Sequence, residues 1–357
     1  MWYNVPASKR NEKGWGNMAG LKIFLSRAKT ASFRRFFQYA CIAAKEAGVS
    51  PVRTVFDSAY CIFHYGVGYQ DYRVFGFARR NAKQRKTYFT YGHNVAMTKR
   101  MNNPEDRKIL DDKCAFLERF EQFLGRNWMD LRKNDAKALA AFCAGKDFIF
   151  VKETDSFGGS GAAKIALTGE TDFAALYERL CAAGQYLVED AICQHEEMNR
   201  LCAKSVNTVR IVTVATPKEV EVAYALVRVG SGEKAVDNIC AGGMYTVLDE
   251  KGLMRFPAFC DRDACYYEKH PVTGTQFADF QIPCYQEAVD MCRKAARLVP
   301  GLRYVGWDVA ITTNGPVLVE GNNFPGYDMA QNWRFCPEGI GLLPRMEKLA
   351  GGKIERA

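Results

Sequence analysis

YVGWDVAITTNGPVLVEGNNFPGYD, residues 304–328, decides the fold. Two apolar runs rich in Val, Ile and Leu flank Thr312-Thr313-Asn314-Gly315, the composition of a tight turn between antiparallel strands. With a three-residue loop, Thr313 to Gly315, Thr312 pairs with Pro316 and Asp308 falls opposite Glu320, with Asn322 on the same face. Two carboxylates opposed on neighbouring strands repel each other. The bland explanation is a solvated hairpin with accidental acids, and the surrounding Val, Ile, Leu and Trp argue against it. A hard, oxygen-seeking cation such as Mg²⁺, shared with phosphate oxygens, removes the repulsion. The hairpin therefore predicts a metal site on Asp308, Glu320 and Asn322.

Upstream, FIFVKETDSFGGSGAAKI (148–165) reads as a strand, Phe148 to Val151, that delivers Lys152 to a loop containing Gly158, Gly159 and Gly161, followed by another strand. Such a loop can fold its N–H groups around phosphate oxygens, because glycine tolerates the angles and the close approach. It is not a Walker loop, since the GK[ST] ending is absent and the glycines join strand to strand. Between these segments, YLVED (186–190) reads as a short strand ending in acids that can meet an adenine amino group beside backbone edge bonds. NTVRIVTV (207–214) and EVAYALVRV (221–229) read as paired strands carrying Arg210 and Arg228 into an acid-rich site. There each either holds phosphate or carboxylate oxygens in a bidentate way or makes a structural ion pair.

Outside this α/β or α+β lobe the texture changes. Residues 1–100 hold 18 Lys and Arg against 4 Asp and Glu, a charge of +14, while the chain as a whole carries +9. Helical spacing runs from Leu21 to Ala47 and stops at Gly48, and a second helix is expected through Val55 to Tyr65. PEDRKILDDKCAFLERFEQFLG (104–125) reads as one acidic helix, and the β-rich centre begins at FIFVKE. The expected division is a mainly helical unit over 1–105, a small lobe with the glycine loop over 106–190, and a larger lobe with the metal site over 191–345. No run approaches the roughly 20 apolar residues that cross a bilayer, and MWYNVPASKRNEKG lacks a signal-peptide core. The 13 cysteines are odd in number and form no CxxC pair, which suggests reduced thiols in the cytoplasm rather than a disulfide framework. The basic, Tyr- and Phe-rich N-terminal third reads either as a solvated face or as the site of an anionic partner: a nucleotide-sugar, a lipid-linked glycan phosphate at the inner membrane surface, or an acidic polysaccharide. No nucleic-acid motif is present.

Taken in order, these segments resemble the ATP-grasp superfamily, and most closely its sugar-transfer-associated family. QHEEMNRLCAKSVNTVRIVT and VGWDVAITTNGPVLVEGNN carry the resemblance over roughly residues 105–335, and YGVGYQDYRVFGF extends it towards the N-terminus. The resemblance implies two α+β subdomains gripping ATP. It implies that Lys113 and Lys152 hold phosphates under the Gly158 to Gly161 loop, that Glu189 and the backbone through Ile192 bind adenine, and that Glu196, with Glu197 beside it, takes the ribose. Asp308, Glu320 and Asn322 then match ligands of two Mg²⁺ ions, and Arg210, Arg228 and Asn238 match positions near the transferred phosphate and acyl group. The implied reaction joins a small-molecule or glycan carboxylate to an amine through an acyl phosphate, modifying a saccharide or its precursor with an amino acid. The same chemistry on a peptide or small natural product, a kinase using the same grasp, and a non-catalytic nucleotide- or glycan-binding module are the competing readings. No side-chain nucleophile is needed, so the four histidines are free to be structural, with His195 the one nearest the nucleotide segment. Glu320→Ala and Asp308→Asn are each expected to abolish turnover with the fold intact.

Overall fold

The computed structural model describes residues 33–155, 162–232 and 242–357. Helices gather before residue 120 and two antiparallel sheets follow, the α+β class expected. Small residues, Ala40, Ala43 and Ala44, form the buried side of α1 (Phe33–Ala47). The helix stops where Gly48 takes φ +68°. The part of this helix expected before Phe33 lies outside the described residues. Pro51 opens α2 (Pro51–Tyr65), which a left-handed Gly66 closes. Then come α3 (Tyr69–Val74), α4 (Ala82–Arg85) and α5 (Tyr91–Met101).

The stretch read as one acidic helix is two, α6 (Pro104–Asp111) and α7 (Lys113–Arg119). Asp112 is extended, with ψ 119°, and its carboxylate accepts the Ala115 N–H at 2.9 Å. A short acid caps a helix start better than it sits in a helix interior, so the local bond outweighs continuity. The break puts Lys113 at the first turn of α7.

The smaller sheet has the order β1-β4-β2-β3, with β1 (Trp128–Asp130), β2 (Phe148–Lys152), β3 (Ala163–Ala166) and β4 (Leu187–Glu189). The β-rich part therefore starts 20 residues before FIFVKE, in a three-residue strand too short to show a pattern. Leu139 of α8 (Ala136–Cys143) and Leu176 and Leu180 of α9 (Phe173–Ala182) pack on Ile149, Val151 and Val188. After the short α10 (Glu196–Leu201), the larger sheet has the order β11-β10-β5-β6-β7-β8-β9. Its strands are β5 (Thr208–Ala215), β6 (Val220–Val229), β7 (Met244–Val247), β8 (Ala258–Cys260), β9 (Cys265–Tyr267), β10 (Tyr304–Thr312) and β11 (Gly315–Asn322). On one face, Ile211, Trp307, Val309 and Leu318 share a core with α11 (Tyr285–Leu298). On the other, Val212, Tyr224 and Tyr304 share a core with Tyr72, Phe77 and Met97 of the N-terminal helices and with Met346 of α12 (Leu343–Ala350).

The β10-β11 register corrects the hairpin while keeping its acids together. The turn has two residues, Thr313 and Asn314, so Thr312 pairs with Gly315 and Ile311 with Pro316. Gly315 sits at φ +105°, outside the reach of most side chains, which lets the chain reverse one residue early. The Thr312 hydroxyl locks the turn, donating to Gly315 O at 2.7 Å and accepting the Asn314 N–H at 3.1 Å. A bulge between Asp308 and Val309 then removes the offset and returns Asp308 to Glu320.

Candidate active site

Strand alternation aims Asp308, Glu320, Arg210 and Arg228 at one another, because Asp308 pairs with Glu320 on one side and with Arg210 on the other. Asp308 has no exposed surface. Arg210 grips it from Nε to Oδ1 and from Nη2 to Oδ2 at 2.9 Å, and Arg228 Nη2 reaches Oδ2 at 2.6 Å. Burial alone would raise the Asp308 carboxyl, but the two guanidinium groups outweigh it and hold the acid well below the usual carboxylate range. Glu320 is pushed the other way, up to about 7, first by burial and then by the Asp308 charge beside it. Asn322 Nδ2 stands 3.5 Å from Glu320 Oε1 and from Gly306 O. Thr208 orients Arg228 by accepting from Nε at 3.0 Å and Nη2 at 2.9 Å.

Across from this hairpin, the smaller sheet supplies cations. Lys152 leaves the end of β2 and makes an ion pair with Glu189 Oε1, while Arg126 Nε donates to Glu189 Oε2 at 2.9 Å. Burial opposes ionisation of Glu189, yet Lys152 and Arg126 bring its carboxyl down to about 2. Lys113 Nζ donates to Glu153 O at 3.0 Å, and burial followed by nearby Lys152 lowers its ammonium against the pull of Glu320. Lys113, Lys152, Glu189, Glu320 and Asn322 all line one narrow cavity of about 40 Å³ between the two sheets. Asp308 joins through Glu320, and the arginines join through Asp308.

The remaining expected residues lie elsewhere or outside the described segments. Ile192 lines a separate, open groove of about 750 Å³, bounded by Arg126, the Thr312 to Val317 turn and α11. The Glu189 carboxylate is engaged by Lys152 and Arg126, and the Asp190 N–H donates to Asn127 O at 3.0 Å. Glu196 is exposed at the first turn of α10. Its neighbour Glu197 is taken by Arg200 at 2.5 Å. His195 caps α10, its Nδ1 accepting the Glu197 N–H at 3.1 Å. His93 closes the start of α5 with Thr90, and His270 Nε2 lies 2.8 Å from Gly230 O. Gly158, Gly159, Gly161 and Asn238 lie outside the described residues.

Two arginines escape a reading of the sequence. Arg126 is buried between the sheets, with Nη1 donating to Leu318 O at 2.8 Å as well as Nε serving Glu189, so it ties β4 to the strand that carries Glu320. Arg132 joins Asp130 of β1 at 2.8 Å to Asp112, the cap of the helix bearing Lys113, at 2.7 Å. The only signal for either is a basic residue among turn formers near acids, as in LGRN and DLRK, which many surface loops share.

The donor set suits a hard divalent cation: carboxylate and amide oxygens, with two acids close enough to disturb each other's ionisation. Asp308 shares its oxygens with the arginines, so Glu320 and Asn322 have the lone pairs to spare.

Residues 144–350 match the family described as sugar-transfer associated ATP-grasp. No curated protein matches the chain. Among solved structures, the ATP-grasp ligase PsnB complexed with precursor peptide PsnA2 and AMPPNP is similar at 17% identity and a TM-score of 0.38, over 70% of this chain and 61% of that one. The D-alanyl-alanine synthetase A of Vibrio cholerae is similar at 15% identity and a TM-score of 0.39, over 67% and 66%. The N5-carboxyaminoimidazole ribonucleotide synthetase of Thermotoga maritima is similar at 9% identity and a TM-score of 0.36, over 64% and 46%. The match spans about three fifths of the length of PsnB.

Proposed function

The chain belongs to the sugar-transfer associated ATP-grasp family, and from that premise we propose that it is an ATP-dependent carboxylate–amine ligase that forms an amide and releases ADP and phosphate. The observation that carries the reading is the meeting of Lys113, Lys152, Glu320 and Asn322 around one cavity between two sheets, with Asp308, Arg210 and Arg228 behind it. In this reading residues 106–190 form the lid, 191–345 carry the metal-binding hairpin, and the helices within 1–105 pack on the larger sheet.

Lys113, Lys152 and the Gly158 to Gly161 loop hold the phosphates of ATP, the backbone of 190–192 takes the adenine, and Glu196 takes the ribose because Glu197 is engaged. Glu320 and Asn322, with Asp308 behind them, would hold Mg²⁺, taken here as two ions, and the ions would supply positive charge to the phosphate oxygens of ATP. A substrate carboxylate oxygen attacks that phosphorus and the bond to ADP breaks, giving an acyl phosphate. The amine then adds to the acyl carbon, loses a proton and expels phosphate. Arg210, Arg228 and Asn238 are assigned to the neighbourhood of the acyl phosphate, the two arginines adding positive charge there while held on Asp308.

The family description, with its association to sugar transfer, favours a saccharide or its precursor as the molecule modified; an amino acid as the group added and a cytoplasmic place of action complete the proposal. A peptide or small natural product is the alternative, and PsnB was solved with a peptide. The test is ADP and phosphate release from Mg-ATP across pairs of amino acids with sugar acids, amino sugars and peptides, with mass spectrometry of the product. Release that needs both partners and yields a product one condensation heavier supports the ligase. ADP with a phosphorylated product would make the protein a kinase, and nucleotide binding with no turnover on any pair would favour the binding module.

A further inference from the structure

Six of the eight large apolar side chains exposed among the described residues sit on just two helices: Phe33 and Phe37 on α1, and Val52, Phe56, Tyr60 and Phe63 on α2. On α2 they recur at spacings of four, four and three, which puts them on one side, opposite the buried Thr54, Ser58, Cys61 and Tyr65. Phe33 is 81% exposed, Phe56 73% and Phe63 72%, far beyond a scattered surface apolar residue. α1 and α2 pack side by side, with Ala40, Ala43, Ala44, Thr54, Ser58, Cys61 and Tyr65 turned to the body and Phe33, Phe37, Phe56, Tyr60 and Phe63 turned away.

The charges around these aromatics have one sign. Arg34, Arg35, Lys45 and Arg53 are exposed on the same two helices. Both acids there are spent on internal pairs: Glu46 accepts from Arg73 at 2.8 Å, and Asp57 accepts from Arg85 at 2.8 Å and from Tyr72 at 2.5 Å. That bias discriminates among occupants. Residues 1–32 carry six Lys or Arg against one Glu, and a second copy would bring the same basic face, so both are like-charged with the patch. Duplex nucleic acid offers the right charge but keeps its base faces stacked inside, so only a single strand could stack bases on these rings.

We propose that the α1-α2 face docks on an anionic lipid bilayer, with Phe33, Phe37, Phe56 and Phe63 seated at the headgroup boundary and Arg34, Arg35, Lys45 and Arg53 against acidic headgroups. Aromatic and basic side chains on one helical surface are the composition that lies in a membrane interface, each signal alone being weak. Among the described residues no helix is long and apolar enough to cross a membrane. Docking does not depend on the ligase chemistry, because none of these residues lines the cavity between the sheets.

The test is co-sedimentation of the full chain with vesicles of phosphatidylcholine alone and of phosphatidylcholine mixed with phosphatidylglycerol. The expected result is partition into the mixed vesicles at least about tenfold above the neutral ones, weakening with salt. Phe56→Ser with Phe63→Ser should lower it about tenfold or more, as should Arg34→Gln with Arg53→Gln, while circular dichroism and Tm stay at the wild-type values because these side chains are exposed. Equal partition into both vesicles, no partition, or binding that survives the serine substitutions would overturn the proposal. A wild-type dimer that the same serine substitutions turn into monomer would instead give the face to a second copy.

Discussion

Asp308 and Glu320 face each other across one hairpin, yet their surroundings make them chemically different. Asp308 is the counter-charge of buried Arg210 and half-buried Arg228, and neutralising it as Asp308→Asn strands both, at about 3–5 kcal/mol. That variant should lose activity together with thermal stability, which departs from the expectation that the fold is unaffected. Burial and the Asp308 charge already disfavour ionised Glu320, so Glu320→Gln costs the fold less than the loss of Asp308 does. It should keep the wild-type Tm within a few degrees and lower turnover by about a hundredfold or more, the usual loss for a preorganised charge at a phosphoryl site. Arg126 permits a sharper separation of binding from chemistry. Arg126→Met leaves buried Glu189 with Lys152 as its remaining cation, so Lys152 is pinned to the acid and withheld from phosphate. The expected outcome is a KM for ATP raised by about tenfold, or ~1.4 kcal/mol, with kcat changed less, and recovery when Glu189→Gln is added. An unchanged KM would remove Arg126 from the site. Burial and pairing of this kind depend on what the fold brings near, which is why Arg126 was invisible in the sequence while Lys152 and Glu320 were not.

At the scale of elements, the site depends on two local breaks in regularity. Asp112 interrupts an acidic helix and caps α7, placing Lys113 at its start, and Arg132 ties that cap to β1. Asp112→Ala should cost about 1 kcal/mol as a lost cap and raise the KM for ATP in the same protein, measured by thermal unfolding beside steady-state kinetics. The second break is the bulge after Asp308. A two-residue turn alone would slide the strands by one and send Asp308 and Glu320 to unmatched positions, and the bulge compensates. Sequence alternation identified both strands and the opposed acids correctly, but by way of a three-residue turn without a bulge. Turn length and bulge are fixed by Gly315 φ, the Thr312 hydroxyl and packing on β5, and only the first of these leaves a mark in the residue pattern.

For the whole molecule, the N-terminal helices are part of the machinery's support, because they share one core with β5, β6, β10 and α12. Their charge and helical character were legible; their burial against the sheet was not, since Tyr72, Phe77 and Met97 stand in aromatic, basic sequence that reads equally well as a binding surface. His93 gives this packing a pH signature. Burial, with the Arg356 charge nearby, lowers its imidazole to about 4 from the usual 6.5, so the unfolded chain binds the extra proton first as pH falls. Stability should therefore decline from pH 6.5 down to about 4 and level off below, and His93→Gln, which keeps the capping geometry with Thr90 and cannot titrate there, should flatten that part of the Tm-against-pH curve. The larger architecture rests on the claim that two sheets close on a Mg-ATP site at the Asp308–Glu320 hairpin. The most direct measurement is calorimetric titration of ATP, with and without Mg²⁺, into the wild type, Glu320→Gln and Lys152→Met. The expected result is binding that Mg²⁺ strengthens in the wild type, loss of the Mg²⁺ effect in Glu320→Gln, and weaker binding of ATP in Lys152→Met at either Mg²⁺ level. ATP binding that is indifferent to Mg²⁺ and to both substitutions would contradict it.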